Sequence, residues 1–371
     1  MSLKADGLFQ HSARGFIHLM MRTLLVFIGC VVGLALAAPI VVAGFPFWCL
    51  SWCTRTIQGW IEPQTVQWKD LIQFDPVVGW RPKPSMRIFC DAAGADVFYV
   101  ETDDEGWCGS APLNDSSLVV FGDSYAFGYA VNQPFFRASK SGLRVKAIAA
   151  PGYSMVQELV LMMQLAPRLR GKQVVWFVYP GNDLTDNLCP GMQGYRTPFL
   201  RESTDQAGWE IVSSHLQADK WAAQPRYDWN KKVSAVFGRN RASERVYAAC
   251  EFLIARGHLA CKQSGANLVV LTIPWTIQFD RLPWPGNNDT TVEPDLPERM
   301  LGRICTRLGV SFVAGSRHLS KRHYIPHEGH LNEEGHRRLA KVLDDLYRNQ
   351  TSCVRDATWS QSIPVLEEAR Q

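Results

Sequence analysis

The 371-residue chain has no CxxC pair, no zinc-ligand spacing, no internal repeat and no low-complexity tract. These absences remove the usual sequence signs of a dithiol centre, a structural metal, a solenoid and a disordered linker. Charge of one sign is also lacking: 39 Lys+Arg against 35 Asp+Glu leave a net +4, and the basic residues form no long block. A surplus that small gives no electrostatic reason to expect nucleic acid as a partner. Charged residues make up 20% and hydrophobic residues 46%. The chain therefore has material for a sizeable core and is neither a disordered nor a collagen-like polymer. Its length allows two ordinary domains or one large α/β domain with insertions.

Long apolar runs are scarce as well; there is one. From Thr23 to Thr54 there is no Asp, Glu, Lys, Arg or His, and the centre reads LLVFIGCVVGLALAAPIVVAGF. About 20 such residues cross a bilayer as a helix, so one N-terminal transmembrane helix within residues 23–54 is expected, with membrane lipid as its partner. Lys4, Arg14 and Arg22 precede the run while Arg55 and Lys69 follow it. This thin excess places residues 1–22 in the cytoplasm and the remainder outside it. A cleavable signal peptide with Ala35-Leu36-Ala37 at its end is the competing reading. The apolar run continues past that point to Phe45, Phe47, Trp48 and Trp52, aromatics suited to a membrane interface, which favours a retained anchor. Either reading exports the rest of the chain to an oxidising compartment. There Cys90 and Cys108, flanking the β-like ADVFYVET, are the candidate disulfide, with free buried thiols as the alternative.

Residues 55–116 read as an irregular lead-in packed on the domain, since DPVVGWRPKPS is built of turn-forming residues. From residue 117 to 350 short apolar runs alternate with helical patterns. The strands expected are SLVVFGDS, VKAIAAPG, KQVVWFVYPGND, ANLVVLTIPW and VSFVAG. Strands separated by helices predict a helix-covered parallel sheet, a flavodoxin-like α/β layer. An insertion over 184–241 breaks the periodicity, and a stretch that long inside a domain is functional or a subdomain of its own. Residues 351–371 read as a tail.

In an open α/β sheet, ligands bind beyond the carboxyl ends of the strands. The first strand ends in Gly122-Asp123-Ser124, which puts a serine hydroxyl at a strand-to-helix turn. The second ends in Pro151-Gly152, where a backbone N–H can approach a ligand without a Cβ in the way. The third ends in Pro180-Gly181-Asn182-Asp183, and His327-Glu328-Gly329-His330-Leu331-Asn332 leads into the last helix. A histidine there is placed to act as general base, because imidazole titrates near neutrality.

These four blocks, in this order, resemble the SGNH (GDSL) hydrolase family, and the resemblance covers Ser117 to about Arg348. The lead-in segments DPVVGWRPKP and ETDDEGW look like the corresponding part of membrane-anchored bacterial members. The resemblance implies a three-layer α/β/α fold and ester hydrolysis through an acyl-enzyme. It casts Ser124 as nucleophile and His330 as general base. The N–H groups of Ser124 and Gly152 and the side chain of Asn182 would form the oxyanion hole, with Asp123 and Asp183 structural. No cofactor or metal is implied, and His318, His323, His327, His330 and His336 match no zinc spacing.

Two departures stand out. His327 occupies the position where the family usually has the Asp three residues before the catalytic His, and Glu328 follows it. Glu328 as the orienting acid, a Ser–His dyad and a degenerate site are the three outcomes. Pro180 replaces the family's first glycine. The expected activity is that of a serine esterase or acyltransferase on the periplasmic face of a bacterial inner membrane, acting on acyl groups, acetyl above all, of a cell-envelope glycan. Trp221, Trp229, Trp275 and Trp284 are candidates for a sugar-stacking platform, buried aromatics of the insertions being the plainer reading. The alternative of another class is a non-catalytic subunit of a membrane complex, suggested by the missing Asp. The two are separated by whether Ser124 and His330 meet in an open cleft.

Overall fold

A computed structural model of the chain describes residues 65–91, 97–203, 208–213, 216–217, 228–279 and 292–356. The expected anchor at 23–54, the segments 1–22 and 55–64, Trp221, Trp284 and the residues from 357 onward lie outside them. Among the described residues no helix is long and apolar enough to cross a membrane.

The lead-in is more regular than its composition suggests. β1 (Thr65–Gln67), β4 (Arg87–Asp91) and β5 (Phe98–Glu101) form one small sheet, and β2 (Ile72–Asp75) and β3 (Gly79–Pro82) a hairpin. The prolines that hide these strands sit where a strand tolerates them: Pro76 in the turn and Pro82 at a strand end. Asp75 Oδ1 closes that turn by accepting the N–H groups of Val77 and Val78 at 2.8 and 3.0 Å. Val78 and Trp80 are fully buried in the main core. Their carbonyls accept Gln157 Nε2 at 2.8 Å and the Tyr153 hydroxyl at 2.7 Å, which fastens the loop after Gly152 from behind.

The central sheet begins with β6 (Cys108–Gly109) and β7 (Leu118–Gly122), the latter followed by short helices α1 (Ser124–Phe127) and α2 (Phe135–Ala138). β8 (Val145–Ala149), α3 (Met155–Leu165), β9 (Gln173–Val178) and α4 (Asp183–Asp186) come next. The insertion contributes hairpins β10 (Gly191–Met192)/β11 (Tyr195–Arg196) and β12 (Phe199–Glu202)/β13 (Trp209–Val212), then α5 (Trp229–Phe237). Helix α6 (Arg241–Ser264), β14 (Asn267–Thr272), α7 (Leu296–Leu308), β15 (Ser311–Val313) and α8 (Glu333–Asp356) complete the series.

Strand order is β15-β14-β9-β7-β8-β6, and all neighbours but the last pair are parallel. The expectation of a parallel sheet is corrected at that edge: β6 runs antiparallel to β8, pairing Cys108 with Ala147 and Gly109 with Lys146. So short a strand carries no periodic signal, yet it covers β8's open edge. Cys90 and Cys108 are both buried free thiols, so the candidate disulfide is not formed.

Strand side chains alternate between two faces. Val119, Phe121, Ile148, Val174, Trp176 and Val270 join the core under α3, α6 and α7, while Val120, Ala147, Val175, Phe177 and Leu271 join the core under α1, α2 and α8. Covered on both sides, β7, β8 and β9 are buried at every residue. Helix α6 lies so close that a Cβ on Gly257 would meet the Trp176 ring at 2.7 Å. Asn240 caps the same helix by accepting the N–H groups of Ala242 and Ser243, and Gly265 ends it at φ +74.

Candidate active site

Ser124 is the first residue of α1. Asp123, its N-cap, leaves the extended range at φ −93, ψ −140, and its Oδ1 accepts the Tyr125 N–H at 3.0 Å. This turn aims the Ser124 hydroxyl at the loop before α8. His330 Nε2 lies 2.8 Å from Ser124 Oγ, and His330 Nδ1 lies 2.5 Å from Glu328 Oε1. The second oxygen, Glu328 Oε2, accepts the His330 backbone N–H at 2.8 Å. Burial alone would raise the Glu328 carboxyl. The hydrogen bond from the His330 ring, its charge and its backbone N–H outweigh that and hold Glu328 below the usual glutamate value.

His327 is exposed with φ +65, so the chain turns at it and its side chain takes no part in the Ser124–His330 pair. The neighbour one residue on is the one that reaches the imidazole. Tyr125 and Tyr129 pack against the His330 ring with centroids at 5.1 and 4.8 Å. The Tyr125 hydroxyl also donates to the Gly329 carbonyl at 2.8 Å, tying α1 to the histidine loop. His323 and His336 are occupied elsewhere, accepting the N–H groups of Ser320 and Phe135 at 2.8 and 3.3 Å.

The three groups expected as oxyanion donors come from three strand ends and line one cleft. Among the described residues, neither the Ser124 nor the Gly152 N–H has an intramolecular acceptor. Gly152 sits at φ +81, and a Cβ there would be 2.9 Å from Gln193 Nε2. Asn182 caps α4, its Oδ1 accepting the Asp183 N–H at 2.9 Å, which turns Nδ2 toward Asp123 Oδ2 at 3.0 Å and Tyr153 O at 3.4 Å. The longer of these bonds is weak and readily exchanged for a substrate oxygen. Pro180, where the sequence resemblance led to a glycine being expected, leaves this turn intact. At Gly181 a Cβ would lie 2.3 Å from the Tyr179 ring, so a larger residue there would have to displace that ring.

Three buried carboxyls support these loops. Burial pushes Asp123 up, opposed by hydrogen bonds from Tyr125 N–H and Asn182 and by His330. Burial likewise raises Asp183, which accepts the Tyr179 N–H at 2.7 Å, and Glu158, which accepts Trp176 Nε1 at 2.5 Å. Asp183 thus braces the backbone at the end of β9, and Glu158 holds the Trp176 indole in the core.

The resulting cleft has a volume of about 370 Å³ and is lined by Ser124, Gly152, Asn182, Gln193, Glu328 and His330 among others. A larger cavity of about 1060 Å³ in the insertion contains none of these strand-end residues. Gln193 comes from the turn of the β10/β11 hairpin and Met192 from the end of β10, which no sequence feature linked to the site. The signal that could have found them is Gln193-Gly194 between two paired residues, both at positive φ. Chemically, His330 can take the Ser124 proton as Oγ attacks a carbonyl. Glu328 then stabilises the imidazolium, and the three donors receive the oxyanion.

No protein-family model matches the chain, and no curated protein matches it. Among solved structures the chain is similar to a GDSL-like lipase from Bacteroides thetaiotaomicron, at 12% identity over 65% of this chain and 92% of that one, with a TM-score of 0.36. It is also similar to a catalytic mutant of an acetylxylan esterase from Geobacillus stearothermophilus, at 13% identity over 64% and 94%, with a TM-score of 0.34. For TesA the values are 12% identity over 60% and 93%, with a TM-score of 0.35. The chain's own five parallel strands follow the flavodoxin-like order 2-1-3-4-5, with serine, glycine and asparagine after the ends of β7, β8 and β9 and histidine before α8.

Proposed function

We propose that the protein is a serine esterase or acyl hydrolase that works through an acyl-enzyme on Ser124. The observation that carries this is the unbroken chain Ser124 Oγ, His330 Nε2, His330 Nδ1, Glu328 Oε1, at 2.8 and 2.5 Å, facing a cleft. The His330 side chain is 24% exposed, so the pair is reachable from solvent. An assembled and accessible triad argues against a degenerate site serving only as a docking body.

The acyl group we propose is short, because Gln193 closes over Gly152 in a cleft of about 370 Å³. The ester we propose is acetyl on a cell-envelope glycan, and transfer to another alcohol differs only in the acceptor that attacks the acyl-enzyme. The location we propose, anchored through residues 23–54 with the catalytic domain in the periplasm, rests on the apolar run and the charges flanking it. Hydrolysis of p-nitrophenyl acetate by wild type, Ser124→Ala and His330→Ala tests the activity. Turnover lost in both variants is expected; equal rates in three folded proteins would remove the catalytic reading.

A further inference from the structure

When the acyl-enzyme forms, the Ser124–acyl bond is made and the ester's alkoxy bond broken. The proton held on His330 Nε2 passes to the departing alcohol oxygen. The alcohol therefore lies on the imidazole side of Ser124, opposite the carbonyl oxygen that faces Gly152 and Asn182. Along the 325–329 loop that leads into His330 the catalytic cleft borders a second cavity of about 740 Å³, and Tyr179 and Glu328 line both. Its walls include Trp229 and Trp275, with ring centroids 4.8 Å apart and planes at 86°. Trp275 is buried, whereas Trp229 keeps 51% of its surface exposed. An indole held against another in this way leaves an apolar face to water that folding does not need. The CH faces of a pyranose ring match such a surface.

The second cavity in turn borders a third, of about 580 Å³, through Arg322. There Arg317, Arg322, Arg337, Arg338 and Lys341 face one carboxylate, Glu334. Glu334 pairs with Arg322 at 3.6 Å and Arg337 pairs with Glu333 at 3.7 Å, leaving Arg317, Arg338 and Lys341 without an ion pair among the described residues, Arg338 Nε donating instead to the His318 carbonyl at 3.1 Å. On sequence alone the cations of α8 read as an ordinary solvated face. Together with Arg317 and Arg322 they form a concave basic surface continuous with the catalytic cleft.

We infer that this run of cavities is the track for the alcohol part of the substrate, an acidic polysaccharide. One ring would stack at Trp229 and Trp275, and anionic substituents further along the chain would lie on the Arg317 and Lys341 groove. The inference rests on the serine-esterase reading for its direction, and names the substrate class of that site.

The test is calorimetric titration of the full-length Ser124→Ala chain in detergent with hexagalacturonate and, as a neutral chain of equal length, cellohexaose. Hexagalacturonate is expected to bind about tenfold tighter at low salt, and 1 M salt to remove the advantage at a Debye length of about 3 Å. Arg317→Glu with Lys341→Glu should abolish the preference, and Arg317→Ala with Lys341→Ala should reduce it; both sites are exposed and folding is checked by circular dichroism. Trp229→Ala should weaken both ligands about fivefold. Equal affinity for the two chains, or affinity indifferent to these substitutions, would overturn the inference. So would absence of binding while phosphatidylglycerol vesicles capture the protein through the same cations. Wild-type hydrolysis of p-nitrophenyl acetate, whose alcohol is too small to need the track, reports separately on the esterase reading.

Discussion

Replacing Glu328 with Gln changes one atom type and asks how much of the site depends on the carboxylate. In the structure its two oxygens serve two donors, the ring Nδ1–H and the backbone N–H of His330, at 2.5 and 2.8 Å. A glutamine has one oxygen and one NH₂ group. If the oxygen stays on the ring, the NH₂ group faces the backbone N–H, donor against donor. If it stays on the backbone, the NH₂ group donates to Nδ1 and moves the ring proton to Nε2, where the imidazole can no longer accept from Ser124. Either arrangement also removes the negative charge that steadies the imidazolium. In chymotrypsin-type serine proteases, replacing the triad acid by its amide costs about 10⁴ in kcat for the same reason. With the side chain only 9% exposed and a softer ester substrate, a loss of about 10²–10⁴, or about 3–5 kcal/mol, is expected. The assay is kcat and KM for p-nitrophenyl acetate, with the loss in kcat and KM near its wild-type value. In the Ser124→Ala background the same change should cost nothing more, because the group acts as a unit. Retention of more than a third of wild-type kcat would show that His330 needs no orienting acid, and the triad assignment would fall back to a dyad.

Asn182→Ala should lower kcat about 10²–10³-fold through loss of one oxyanion donor, and a change confined to KM would contradict that role. Stability should depend on Glu158. Its carboxyl is raised by burial, so above the ordinary glutamate value of 4.5 the folded state holds a proton that the unfolded state releases. Stability is therefore fully present below that pH and falls as pH rises toward the folded value. Glu158→Gln should flatten this slope of Tm against pH, and an unchanged slope would refute it. Cys90 and Cys108 are free, and burial pushes both thiols up to about 12. They should resist iodoacetamide in the native protein and react without reductant once it unfolds; a linked Cys90–Cys108 peptide would contradict this.

The central parallel strands β7, β8 and β9 are legible in the sequence because each is covered on both faces and reads as a continuous apolar run. Ser124, Gly152 and Asn182 are legible for a related reason, since each follows such a run and strand ends are where ligands bind, while His330 is legible from its place just before the last helix. The orienting acid is different. Whether residue 327 or 328 reaches the imidazole is decided by one residue at φ +65, a local turn with no periodicity to announce it. Strand β6 escapes notice because it is two residues long, and β2 and β3 because prolines at their ends mimic a loop. Gln193 enters the cleft from a hairpin in the insertion, and only tertiary packing brings it to Gly152. The Trp229–Trp275 pair joins two segments far apart in sequence. Composition suggests such a platform but cannot say which tryptophans meet.

The central claim is that Ser124 carries the acyl group during turnover. It is tested most directly by reacting the full-length protein with a fluorophosphonate and mapping the adduct by peptide mass spectrometry. One phosphonyl group on the Ser124 peptide is expected, with loss of esterase activity in proportion and no labelling of folded Ser124→Ala or His330→Ala. Labelling that is absent from the wild type, or that persists equally in Ser124→Ala, would contradict the account.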